Sequence, residues 1–196
     1  MALRGIRLSH ETVRLWSQRI GTNIALKMRV HRRGCSHRKW NMDITYLKVK
    51  GYDMYLYRAI DKGGNLVDVY LSDTRDKKAV EEFFKACEAT TGPHPIQVTT
   101  DKEPAFSNTI KKAFGDDVKH RDSKYMNNVT EQPHRGIKSR YRPMKGFQDS
   151  GCAMIFCTVF EEIKQFFRMK NKTQSQRRHD FAPRFQEFET MAGMEA

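Results

Sequence analysis

Apolar and aromatic residues gather in three strand-like runs in close succession, Trp40 to Val49, Met54 to Ile60 and Leu66 to Leu71. The connections are short, Lys50-Gly51 and Asp61-Lys62-Gly63-Gly64-Asn65, so the three runs predict an antiparallel meander. After Asp76 the pattern changes. Ala79, Val80, Phe83, Phe84 and Cys87 recur at helical spacing, and Gly92-Pro93 closes that helix. A short strand of buried type follows from Ile96 to Thr100, then a helix from Pro104 to Phe114 and a further strand from Val118 to Arg121. Strands that alternate with helices predict parallel pairing. The remainder reads as helical. One segment begins near Glu131 with Pro133 in its first turn, and a long apolar one runs from Phe147 to about Met169 and should lie against the sheet.

Two regions flank this pattern. Ser9 is placed to cap a helix that carries Val13, Trp16 and Ile20 on one face, and Gly21 offers a stop. Ahead of it, Arg4-Gly5-Ile6-Arg7-Leu8 reads as the end of one helix and a glycine turn, which is half of a helix-turn-helix; a short helix docked on the main domain is the competing reading. From Lys27 to Lys39 the chain carries Lys27, Arg29, Arg32, Arg33, Arg38 and Lys39 with no acid, as a basic linker would. Beyond Lys170 it turns polar, then presents Phe181, Phe185 and Phe188. The expected division is therefore a partial helix-turn-helix at 1–25, a linker at 26–39, the main domain at 40–170 and a polar tail at 171–196.

Charge narrows the partner class. Lys and Arg number 36 against 23 acids in 196 residues, a formal net charge of +13, and such an excess favours an extended polyanion such as nucleic acid. No apolar run approaches the roughly 18 residues that a spanning helix needs, and the first residues lack a signal-peptide core, so a cytoplasmic protein is expected. Cys35, Cys87, Cys152 and Cys157 are too scattered for a disulfide framework, and His31, Cys35 and His37 lack a fourth zinc ligand at sensible spacing.

Three acids stand out by context. Asp43 follows Trp40-Asn41-Met42 at the head of a predicted strand, Asp101 follows Val98-Thr99-Thr100 at the tail of another, and Glu131 follows Asn127-Asn128-Val129-Thr130 at the entry to a helix. Each has a plain structural reading: a solvated strand residue, a helix cap, and a complement to a helix dipole. Taken together, acids that end strands or open helices can converge outside a sheet edge, where carboxylate oxygens suit Mg²⁺. Glu103, close to Asp101, has no matching context.

The order of three antiparallel strands, helix, strand, helix, strand and helices is that of an α/β, ribonuclease H-like three-layer fold with a mixed five-stranded sheet, here preceded by the partial helix-turn-helix. Along nearly the whole chain the linked motifs Trp40 to Gly51, Tyr57-Arg58-Ala59-Ile60-Asp61, Arg75 to Ala79, Thr99-Thr100-Asp101-Lys102, Tyr125 to Gln132 and Arg140 to Phe147 resemble the DDE transposases of the insertion-sequence-six family, bacterial relatives of retroviral integrases. The resemblance implies that Asp43, Asp101 and Glu131 are the catalytic, metal-ligating acids, holding two Mg²⁺ or Mn²⁺ ions. It also implies cleavage and strand transfer of double-stranded DNA, at element ends and target, by in-line phosphoryl transfer in a homo-oligomer. Lys102, Arg135, Lys138, Arg140, Arg142 and Lys145 would contact phosphates near the site, with Arg14, Arg19, Arg32 and Arg33 doing so from the N-terminal region. The chain departs from the family pattern at Ile44 and Pro133, in the thirty-position spacing of Asp101 and Glu131, and at its N-terminus, where the resemblance begins midway through the helix-turn-helix. That last departure motivates an alternative expectation, an N-terminally truncated, inactive DNA-binding product that modulates a full-length transposase.

Overall fold

The computed structural model describes residues 9–34, 36–92, 94–100, 104–122, 136–140, 146–170 and 172–193. Five strands form one mixed sheet: β1 (Lys39–Val49), β2 (Tyr52–Asp61), β3 (Leu66–Ser72), β4 (Gln97–Thr100) and β5 (Lys119–Asp122), in the order β3-β2-β1-β4-β5. The predicted meander is present, with β1 antiparallel to β2 and β2 to β3, while β4 lies parallel to both β1 and β5. Lys50 and Gly51 both take positive φ, 50° and 84°, which is the two-residue turn whose twist matches paired strands and which a glycine accepts without strain.

Alternation along β1 sorts its side chains between two cores. Trp40 and Met42 pack under α2 (Lys77–Thr91) and α3 (Pro104–Phe114), with Phe83, Phe84, Cys87, Phe106 and Ile110. Leu47 and Val49 face the opposite side, toward Ala153 and Cys157 of α4 (Ser150–Phe166) and Ile137 of a helical stretch at 136–140. Helix, sheet and helix make the three layers. Asp76 and Asp149 start α2 and α4 by accepting the amides of Ala79 and Cys152, each three residues on. The long apolar segment thus begins at Ser150 rather than Phe147, which instead bridges to Val49 beside the sheet.

The two flanks differ from the sequence expectation. α1 (His10–His31) is capped by Ser9 as predicted, yet it passes through Gly21 without stopping and takes in Lys27 and Arg29. Its buried residues are Gly21, Ile24, Ala25 and Met28, whereas Val13, Trp16 and Ile20 remain 46%, 48% and 48% exposed. The reason is packing. At Gly21 a Cβ would stand 3.3 Å from both methyls of Val159, so the missing side chain lets α1 press against α4 and the contact sustains the helix. The polar tail is also helical: α5 (Gln174–Ala192) opens on a reciprocal capping box between Thr173 and Gln176 and lays Phe181 and Phe188 against Phe167.

Candidate active site

Asp43 lies on β1, the central strand, half-buried and on the face that carries Leu47 and Val49. It sits within the strand rather than at its head, and what ends there is the neighbouring strand. β4 stops at Thr100, whose register partner is Met42, and β5 stops at Asp122, opposite Thr100. The carboxyl ends of both parallel strands therefore halt level with Asp43, which is where open α/β sheets form their binding crevices. The Asp43 Oδ1 accepts the amide of Ile44 at 2.8 Å, fixing the carboxylate against its own backbone.

Asp101 and Glu131 lie outside the described residues, as do Lys102, Arg135, Arg142 and Lys145. Among the described residues, no three His, Cys, Asp or Glu side chains come together as a metal-binding group. Of the expected phosphate contacts, Arg14 is exposed and paired with Glu11, and Arg19, Arg33 and Arg140 are exposed. Lys138 holds its Nζ 5.0 Å from the Tyr46 ring centroid, on β1. Arg32 has a different place. Its guanidinium donates to both oxygens of Glu162, at 2.7 and 2.6 Å, and to the carbonyls of Leu66 and Val67, so we read it as a clamp between α1, α4 and β3 and do not carry it among the phosphate contacts.

Four residues beside the site were not singled out from sequence. Arg58 is the direct cross-strand partner of Asp43 and only 5% exposed; opposite residues of an antiparallel pair share a face, with Cβ atoms about 4.5–5.5 Å apart. Its guanidinium donates to Glu161 of α4, Nε at 3.1 Å and Nη2 at 2.9 Å from Oε2. On the other side of β1, Thr100 Oγ1 lies 2.9 Å from His120 Nε2, and burial lowers the pKa of His120 against the opposing charge of Asp122. A Glu-Glu pair inside an otherwise apolar helix was the available signal for Glu161. Nothing in the local sequence around Arg58 points at Asp43, because their juxtaposition depends on hairpin register.

Histidine 37, considered with His31 and Cys35 for zinc, instead serves Asp61, which accepts its amide at 2.9 Å and is paired with its Nδ1 at 2.8 Å. Cys35 is outside the described residues. The apolar groove of about 650 Å³ lined by Gln18, Phe156, Val159 and Ile163 lies between α1 and α4 and does not include Asp43. No described helix is long and apolar enough to cross a membrane.

The fold has solved counterparts. The HTLV-2 integrase catalytic core domain, determined in complex with magnesium, superposes with a TM-score of 0.51 at 20% identity, covering 75% of this chain and 99% of that one. A chain of the simian T-cell lymphotropic virus intasome gives 0.52 at 15% identity, covering 73% and 53%. At these identities the likeness is one of fold, and it defines the class: a ribonuclease H-like domain of the integrase-core type.

Sequence comparison is more specific. The DDE domain of IS240-type transposases matches residues 37–177. The Staphylococcus aureus transposase for insertion sequence-like element IS431mec is 37% identical over 142 residues, 70% of this chain and 62% of that protein, and the S. aureus transposase for insertion sequence element IS257 in transposon Tn4003 matches to the same extent. This chain belongs to the DDE transposase family. It spans about 62% of the length of the curated relatives it matches.

Proposed function

We propose that this protein cleaves and joins DNA by metal-dependent in-line phosphoryl transfer, with Asp43, Asp101 and Glu131 as the ligating carboxylates. The observation that carries the reading is the position of Asp43 on the central strand of a DDE-family chain, level with the carboxyl ends of β4 and β5. Sequence adjacency supports Asp101 as its companion, since it directly follows Thr100, the residue paired with Met42. The donor set fits a hard divalent cation, because all three proposed ligands are carboxylates and sulfur is absent from the set. Magnesium or manganese, two ions on this reading, would when bound activate the attacking hydroxyl and stabilise the leaving oxygen.

The residues of the chain set the conditions for that chemistry. Asp43, half-buried and oriented by the Ile44 amide, presents a carboxylate from the central strand, and carboxylate oxygens are the ligands that hard divalent cations take. Arg19, Arg33 and Arg140, exposed on the surface, and Arg14, Lys102, Arg135, Lys138, Arg142 and Lys145 would neutralise phosphates and set the register of double-stranded DNA without reading its sequence. Oligomeric action on paired ends belongs to the same proposal. The test is cleavage and strand transfer of end-containing DNA with Mg²⁺ present. We expect Asp43→Asn to fall to the level of a protein-free control with its thermal stability retained; activity equal to that of the parent would remove Asp43 from the mechanism.

A further inference from the structure

Arg58 belongs to the Tyr57-Arg58-Ala59-Ile60-Asp61 motif, which the three-carboxylate mechanism leaves without a role. It carries a buried charge directly across the strand pair from Asp43. A guanidinium on that face is a natural competitor for the Asp43 carboxylate, since Arg presents its donors as a rigid fork that matches carboxylate geometry. The structure commits it elsewhere. Both Nε and Nη2 of Arg58 converge on a single oxygen, Oε2 of Glu161, a residue 1% exposed in α4.

The second oxygen of Glu161 is unusual. Among the described residues, Oε1 is the buried side-chain atom that has no hydrogen-bond partner, and the nearest ion-pair contact is Lys164 Nζ at 3.5 Å. Glu161 is thus bound closely through Oε2 by Arg58 and, through Oε1, by the longer ion pair with Lys164. Lys164 Nζ in turn stands 3.5 Å from where a Cβ on Gly136 would be, at the start of the helical stretch that follows the segment containing Glu131. Asp43, Arg58, Glu161, Lys164 and Gly136 thus form one series of neighbours that joins the strand of the first acid to the helix downstream of the third.

Resting on the reading of Asp43 as a metal ligand, we propose that Glu161 is a positioning residue that holds Arg58 on α4, so that this guanidinium does not compete with a divalent cation for the Asp43 carboxylate. Outer partners of metal ligands are known to change metal affinity by about 10–100-fold when altered. Glu161 acts here through Arg58 and touches no reacting atom. Removing its negative charge while keeping its shape turns Arg58 toward Asp43, and the protein then needs more metal. Replacing both members of the pair by apolar residues removes the competitor and relieves that need.

The test measures Mn²⁺ binding to the full chain by electron paramagnetic resonance, alongside thermal stability and the Mg²⁺ dependence of strand cleavage. Glu161→Gln is expected to weaken Mn²⁺ binding and raise the half-saturating Mg²⁺ concentration about tenfold, with the rate at saturating metal within a few-fold of the parent. The double variant Arg58→Met with Glu161→Leu, chosen because apolar replacement of a buried pair is often neutral for folding, is expected to bind Mn²⁺ as tightly as the parent or tighter. Unchanged Mn²⁺ binding in Glu161→Gln with only lowered stability overturns the proposal, and so does weakened binding in the folded double variant. If Glu161→Gln does not fold, the double variant decides alone. Asp43→Asn run in parallel separates the two readings: if it binds Mn²⁺ like the parent, the metal-site assignment itself is wrong, whereas if it loses binding while Glu161→Gln does not, the positioning role alone is wrong.

Discussion

Glu161 and Glu162 are adjacent on α4, equally buried at 1% exposure, and held in opposite ways. Successive helical side chains point about 100° apart, so Glu161 turns to the sheet and Arg58 while Glu162 turns to α1. Glu162 has both oxygens occupied by Arg32 and a further contact from Arg29, whose other arm reaches Asp68 on the edge strand β3. Glu161 receives two donors on one oxygen and, on the other, the longer ion pair with Lys164 at 3.5 Å. Two carboxylates of the same type and burial thus divide the work: one fastens the N-terminal helix to the core, and the other stands behind the candidate site. Degree of satisfaction, rather than burial, separates them.

The sharpest way to break this comparison is Glu162→Ala. It leaves Arg32, 11% exposed at its side chain, and the partly buried Arg29 without their shared anion, and breaking a buried pair from one side costs about 3–5 kcal/mol. We expect a lowered urea midpoint with an unchanged slope. A loss below about 1 kcal/mol would mean that α1 is not held by this clamp.

A third buried carboxylate sharpens the comparison through pH. For Asp61, burial alone would raise the pKa, but the donors of His37 and Asn65 outweigh it and hold the carboxyl below its ordinary value. Its folded pKa is depressed, so its contribution is fully present above the unfolded value near ~3.9 and disappears as pH falls through the folded one. Acid unfolding of the parent should therefore steepen below about pH 4, and Asp61→Asn should be less stable at pH 7 while losing less on acidification. Parallel acid curves for the two proteins would contradict this.

The smallest effect tests the same α1–α4 seam without touching charge. Gly21→Ala gains roughly 1 kcal/mol of helix propensity but places a methyl 3.3 Å from Val159, a side chain that can yield by a few tenths of an ångström. We expect a change within about 1 kcal/mol, and destabilisation several times larger for Gly21→Leu, read from the same urea midpoints.

Much of the fold was legible because its signals are local. The strand-like runs of β1 to β3, the Lys50-Gly51 turn and the stripe from Ala79 to Cys87 each specify an element within a few residues, and all are present. The misreadings fall where a distant partner decides. Gly21 is a reasonable helix stop until Val159 is seen against it, and the segment beyond Lys170 reads only as a polar tail until Phe181 and Phe188 meet Phe167. The role of Asp43 was suggested by a motif, whereas its setting, within β1 and level with the ends of β4 and β5, required the sheet.

The sequence by itself thus determined the strands, the helices between them, their order and the family, since helical spacing, turn chemistry and linked motifs are written in consecutive residues. Only the tertiary structure decided which buried charges meet. Arg58 comes opposite Asp43 through hairpin register, and Glu161 reaches Arg58 across 103 positions of chain, so that pairing is set by packing that no local pattern encodes.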